Sequence, residues 1–168
     1  MRFYPAAIAL SLLAVVTASS LQSAPQIPLN PRASALVAEG RSALQANNVD
    51  GAIDAFEAAL VLQPGSEAIY LNLAEAVRRQ GMQGKALHYY REVLERDPQN
   101  LAAISGEGAA LVEKGALDKA RRNLTRLQGL CGESCDATRQ LAAALARGPA
   151  PRVITADAVK PAPVVSSN

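Results

Sequence analysis

Residues 67–100 read EAIYLNLAEAVRRQGMQGKALHYYREVLERDPQN, and this stretch decides the fold. Tyr70, Leu73, Ala74 and Val77 recur at i, i+3, i+4 and i+7, the spacing that gathers apolar side chains on one face of a helix. Gly81 to Gly84 interrupts the pattern, and Ala86, Tyr90, Val93 and Leu94 resume it, so the stretch predicts two amphipathic helices joined by a turn. Pro98 closes the second helix, because proline lacks the amide donor a helix interior needs. Pro64 stands 34 residues earlier, and of ten prolines only these two fall within 32–148.

An interval of that size calls for a test of internal repetition. Shifting the chain by 34 residues aligns Ala52, Ala86 and Ala120; Phe56, Tyr90 and Leu124; Ala59, Val93 and Leu127; and Gly40, Ala74 and Gly108. Gly81 and Gly115 align as well. Small residues stay small in each column, and bulky apolar ones stay bulky. Three copies result, at 33–66, 67–100 and 101–134. The small column lets antiparallel helices approach closely, and the bulky column fills the space between neighbouring units. Ser66 and Asn100 stand where a new helix needs an N-cap acceptor.

Composition agrees with an all-α chain. Among 168 residues there are 34 Ala and 21 Leu but six aromatics and no Trp, which favours helix and disfavours an all-β fold. Seventeen Lys and Arg against 15 Asp and Glu leave a formal charge of +2 with no basic block, so nothing points to nucleic acid.

The aligned columns resemble the tetratricopeptide repeat, and most closely in the second copy, through Tyr70, Leu73, Ala74, Val77, Gly81, Ala86, Tyr90 and Pro98. The resemblance covers 33–134 and implies an α-solenoid of three helix–turn–helix units. The first copy departs from the family pattern at Glu39, where Leu is preferred, and at Asn47, where Gly is usual; the third departs at Gly132, where Pro would close the unit. After it, 135–148 reads as a capping helix, with Leu141, Ala142 and Leu145 on one face and Gly148-Pro149 as the stop.

The ends read differently. No charged residue occurs from Phe3 to Pro31, and Arg2 precedes an apolar run from Ala6 to Val16, the pattern of a secretory leader. Cleavage is expected after Ala18, which makes 1–18 a signal peptide and 19–32 a flexible lead-in. Polar Thr17, Ser19 and Ser20 arrive too soon for a membrane span of about 20 apolar residues, so the mature chain is expected to keep no anchor and to reach the periplasm. Residues 149–168 carry four prolines and no aromatic side chain, which reads as a disordered tail.

Chemistry is sparse. Cys131 and Cys135 flank Gly132-Glu133-Ser134, and in an oxidising compartment they are expected to form a structural disulfide, since three residues containing a glycine can bring the Cα atoms into the usual range of about 4.4–6.8 Å. The functional alternative is a redox or metal-handling pair. His88, the only histidine, lies 43 residues before Cys131 on a solvated column with Asp54 and Arg122. No catalytic, phosphate-binding, zinc or dinucleotide motif is present, so no enzyme activity, cofactor or metal is assigned.

The remaining candidate is the concave face, which the resemblance implies is lined by the first helix of each unit. Helical spacing puts Val37, Arg41 and Leu44, then Leu71, Asn72, Glu75 and Arg78, then Ser105, Ala109 and Val112 on that face. The expected function is a non-catalytic scaffold or adaptor that holds a peptide or helix of a protein partner, in envelope assembly; a self-associating module is the other alternative, and the oligomeric state stays open. The carboxylate clamp of some family members is not expected: only Asn72 lies on a matching column, while Val37, Ala102 and Gly106 stand where basic or amide side chains would be needed.

Overall fold

A computed structural model describes residues 28–149. The expected signal peptide, the segment 19–27 and the tail beyond Pro149 lie outside the described residues.

Among the described residues seven helices run in order: α1 (Pro31–Gln45), α2 (Val49–Leu62), α3 (Glu67–Arg79), α4 (Gln83–Arg96), α5 (Leu101–Glu113), α6 (Leu117–Cys131) and α7 (Asp136–Arg147). There is no strand among them. The pairs α1/α2, α3/α4 and α5/α6 pack against each other, α2 meets α3, and α4 meets α5, while α7 closes the array against α5 and α6. The result is an all-α solenoid of helical repeats.

The 34-residue period is visible in the backbone. Helices α1, α3 and α5 end in the same way, with the amides of Asn48, Met82 and Ala116 donating to the carbonyls of Ala43, Val77 and Leu111 at 2.8, 2.9 and 2.8 Å. A residue in left-handed conformation turns the chain at each of these ends, as a bond of this span requires. Gly81 and Gly115 adopt φ of 84° and 83°, and Asn47 adopts 58°. The departure at Asn47 is therefore a substitution in kind, because asparagine is among the few L-residues that tolerate this region.

Caps explain where helices begin. The side chains of Asn30, Asn48 and Asn100 accept from the amides of Ala33, Gly51 and Ala103 at 2.7, 3.0 and 3.0 Å. Ser66 occupies the N-cap of α3 but makes no side-chain bond there, so the expected pair of acceptors is reduced to one. The lead-in to α1 is held rather than loose from Pro28 onward: the Asn30 amide donates to Gln63 Oε1 (2.8 Å), and Gln63 Nε2 donates to the Pro28 carbonyl (3.3 Å). Pro31 and Arg32, placed in the flexible segment by sequence, are the first residues of α1, where proline's fixed φ suits a helix start.

The columns form the core. Ala52, Ala86 and Ala120 are fully buried, as are Ala59, Val93 and Leu127. Phe56 and Tyr90 are buried too, whereas Leu124 is only half-buried. The small residues are where close approach requires them. A Cβ on Gly40 would stand 2.4 Å from the Phe56 ring, so this contact lies within one unit rather than between two. On Gly108 it would stand 2.5 Å from Leu141 of α7. The cap thus supplies the bulky group that Leu124 does not. On α7 the buried side chains are Thr138, Leu141 and Ala144, with Leu145 half-buried. Ala142, expected on the same face, is exposed: it lies one period after Gly108, and no described helix comes after α7 to cover that column.

Candidate binding groove

The first helices of the units, with α7 beside them, line two adjoining hollows. The larger, about 520 Å³, lies between α3, α5 and α7. Leu71, Glu75 and Arg78 line one side, Ser105, Ala109, Val112 and Glu113 the middle, and Gln140, Ala143, Ala144 and Arg147 the far side. The smaller, about 280 Å³, is lined by Arg41, Glu67, Ala68, Leu71, Asn72 and Glu75. Leu71 and Glu75 belong to both, so the hollows form one groove.

Eight of the ten residues expected on this face line it: Arg41, Leu71, Asn72, Glu75, Arg78, Ser105, Ala109 and Val112. Val37 and Leu44 do not. Val37 is a core residue with 4% of its surface exposed, and Leu44 is half-buried against that core. Ser105 and Val112 are also largely buried, and the Ser105 hydroxyl is committed, donating to the Ala137 carbonyl of α7 at 3.1 Å.

Charge in the groove is concentrated in one knot. Arg78 Nε and Nη2 donate to both Glu75 oxygens at 2.9–3.0 Å, and Nη1 pairs with Glu113, tying α3 to α5. Arg79 Nε adds a 2.8 Å bond to Glu75. Burial alone would lower the pKa of the Arg78 guanidinium, but the carboxylates of Glu75 and Glu113 outweigh it and hold it above its ordinary value. The Tyr90 hydroxyl approaches Glu75 at 3.5 Å. Burial first, then the Glu75 charge, pushes its pKa well above the usual phenol range, so it remains a neutral donor.

Sequence reasoning missed Tyr90 and the α7 residues. Tyr90 shares its column with Phe56 and Leu124, which made it look wholly apolar, yet its phenol ends at the groove. The α7 residues had a signal: Gln140, Ala143 and Arg147 stand one period after Gly106, Ala109 and Glu113, all of which line the groove. Extending the period one step would have found them. Gly106 explains its own composition, because a Cβ there would stand 2.3 Å from the Tyr90 ring. No longer side chain, basic or amide, fits at that position without displacing the ring.

Outside the groove, the Sγ atoms of Cys131 and Cys135 lie 2.18 Å apart with their Cα atoms at 5.7 Å, at the junction of α6 and α7. Thr138 Oγ1 donates to the Gly132 carbonyl at 2.8 Å and closes the same junction. His88 is exposed with its ring 5.5 Å from that of Tyr89. Among the described residues no three His, Cys, Asp or Glu side chains gather as a metal site would require. No helix among them is long and apolar enough to cross a membrane.

A family model described as tetratricopeptide repeat matches residues 37–100, which hold all but the first four residues of the first unit and the whole of the second. The chain carries tetratricopeptide repeats. Solved tetratricopeptide domains share its fold. The first such domain of Spaghetti (RPAP3), bound to the HSP90 peptide SRMEEVD, superposes with a TM-score of 0.59 at 23% identity, covering 68% of this chain and 96% of that one. The TPR2B domain of yeast Sti1 in its pHsp70 complex gives 0.64 at 17% identity, covering 70% and 96%. The Arabidopsis OM64 domain gives 0.62 at 16%, covering 69% and 95%. Among curated proteins, cellulose synthase 2 operon protein C of Komagataeibacter xylinus is 40% identical over 96 residues, 56% of this tetratricopeptide repeat chain. The match spans only 7% of that much longer protein.

Proposed function

We propose that this chain is a non-catalytic adaptor that holds a peptide or an amphipathic helix of a protein partner in the groove between α3, α5 and α7. The observation that carries the reading is the open hollow of about 520 Å³, whose lining combines Leu71, Ala109, Ala143 and Ala144 with the Glu75–Arg78–Glu113 knot. Apolar lining supplies affinity by removing water from a ligand's apolar side chains, and fixed charges set its register. Two structural neighbours are seen with Hsp-derived peptides or partners, which supports a peptide ligand for this groove as well. A terminal-carboxylate clamp is no part of the proposal, since Gly106 must remain small beneath Tyr90.

The groove is tested with peptides selected from a displayed library against the purified chain. Leu71→Asp and Ala109→Glu place a charge in the lining, and each is expected to weaken the selected peptides at least tenfold, about 1.4 kcal/mol. Val61→Asp, at a side chain 79% exposed on α2, is expected to leave affinity unchanged. Circular dichroism checks that the variants remain helical. Undiminished affinity in both groove variants would remove the reading.

The adaptor is further proposed to work in the periplasm, in envelope assembly, with Cys131 and Cys135 oxidised to fix the angle at which α7 docks. The leader pattern, Arg2 followed by an uncharged apolar run, supports export, and the resemblance to a cellulose synthase operon protein is compatible with an envelope role. One intact-mass measurement on protein made in its own cell checks two of these points. A chain beginning at Ser19 and lighter by about 2 Da than its dithiol form, the loss of two thiol hydrogens that defines a disulfide, is expected. A mass that retains residues 1–18 refutes export by cleavage, and a free dithiol refutes the staple.

A further inference from the structure

We infer that the groove is occupied, in the absence of a partner, by the chain's own segment 150–168. Gly148, the C-cap of α7, is itself part of the wall of the larger hollow, so the chain leaves α7 at the groove and not on the opposite side of the array. Beyond Gly148 the chain reads PAPRVITADAVKPAPVVSSN, residues 149–168. The path from α7 across α5 to α3 crosses two interhelical spacings of about 8–10 Å each. An extended chain advances about 3.1 Å per residue, so roughly seven residues span that path and the segment is ample.

Its chemistry suits the lining. Val153, Ile154 and Val159 offer β-branched apolar side chains to Leu71, Ala109, Ala143 and Ala144. Pro151, Pro161 and Pro163 restrict the unbound segment, which lowers the entropy lost on docking. Arg152, Asp157 and Lys160 meet a lining in which Glu67, Glu75 and Glu113 are matched by Arg41, Arg78 and Arg147, so the net charge of the face does not oppose docking and the apolar side chains carry it. Tethering does the rest. A short linker holds its ligand at an effective concentration on the order of millimolar, so a segment with a free affinity of only about 1 mM would fill the groove about half the time. The partner of the proposed function would then bind by displacing this segment, and the inference rests on that reading for its consequence alone.

Methyl-resolved NMR of the full chain and of a chain ending at Pro149 tests it. The shorter chain keeps the complete helical array and its cap, since 28–149 contains all seven helices and their core. Removing 150–168 is expected to shift the methyl signals of Leu71, Ala109 and Ala143 while those of the core residues Ala52 and Ala59 stay in place. Adding a synthetic 150–168 peptide to the shorter chain is expected to restore the original positions. In the full chain, the double variant Val153→Asp, Ile154→Asp is expected to reproduce the spectrum of the shorter one. Superposable groove signals with and without 150–168 overturn the inference. If library-selected peptides still shift the same methyls, the groove reading stands without it; if they shift none, both fall.

Discussion

Phe56→Ala is expected to destabilise the chain by about 3–5 kcal/mol, the range for removing a buried aromatic ring. That is a large share of the roughly 5–15 kcal/mol that separates folded from unfolded domains. The ring is fully buried and fills the gap between α1 and α2, to the point that Gly40 has no room for a β-carbon. The same geometry gives Gly40→Ala a context-dependent sign. Alone, it forces a methyl group against the ring and is expected to cost about 1–3 kcal/mol from overpacking, less about 1 kcal/mol regained because alanine suits a helix better than glycine. In the Phe56→Ala background the obstruction is gone, and Gly40→Ala should stabilise by filling part of the cavity. Urea unfolding of the four members of this cycle checks it. An unchanged sign for Gly40→Ala would show that the ring is not what excludes the β-carbon.

Leu141→Ala is expected to cost about 2–5 kcal/mol locally, on the scale of leucine truncations in packed cores. Leu141 is the one large, fully buried side chain on α7 and rests on Gly108 of α5. Repeat arrays are held by contacts between neighbours, so the loss should fall on the end of the array rather than spread through it. Amide hydrogen exchange is expected to accelerate in α7 and the facing side of α5 while α1 to α3 keep their protection. Equal acceleration in all seven helices would show that the array unfolds as one unit and that α7 is not a separable cap.

The fold was legible because repetition puts many weak signals in register. Ala52, Ala86 and Ala120 say little one at a time, but at a fixed interval they identify one buried column, and the structure buries all three. What misled was the assumption that each column meets the same neighbour in each unit. Val37 and Leu71 share a column, yet Val37 is in the core and Leu71 is at the groove. Leu124 is less buried than Phe56 and Tyr90 for a related reason: the cap brings its own leucine to Gly108, from an element read as lying outside the repeats. Depth within a column depends on the angles between helices, which the order of residues does not state. Tyr90 differs again, since a single column held both its buried ring and its groove-facing hydroxyl.

Gln140, Ala143 and Arg147 extend the columns of α5, so the cap is half of a fourth unit that lends its inner side to the groove while its Ala142 column stays open to solvent. The groove is therefore built by counting: each first helix adds one wall segment, and its length is a whole number of such segments rather than the property of any side chain. A partner long enough to use it would be measured in steps of one helix, and the described residues offer four, from α1 to α7.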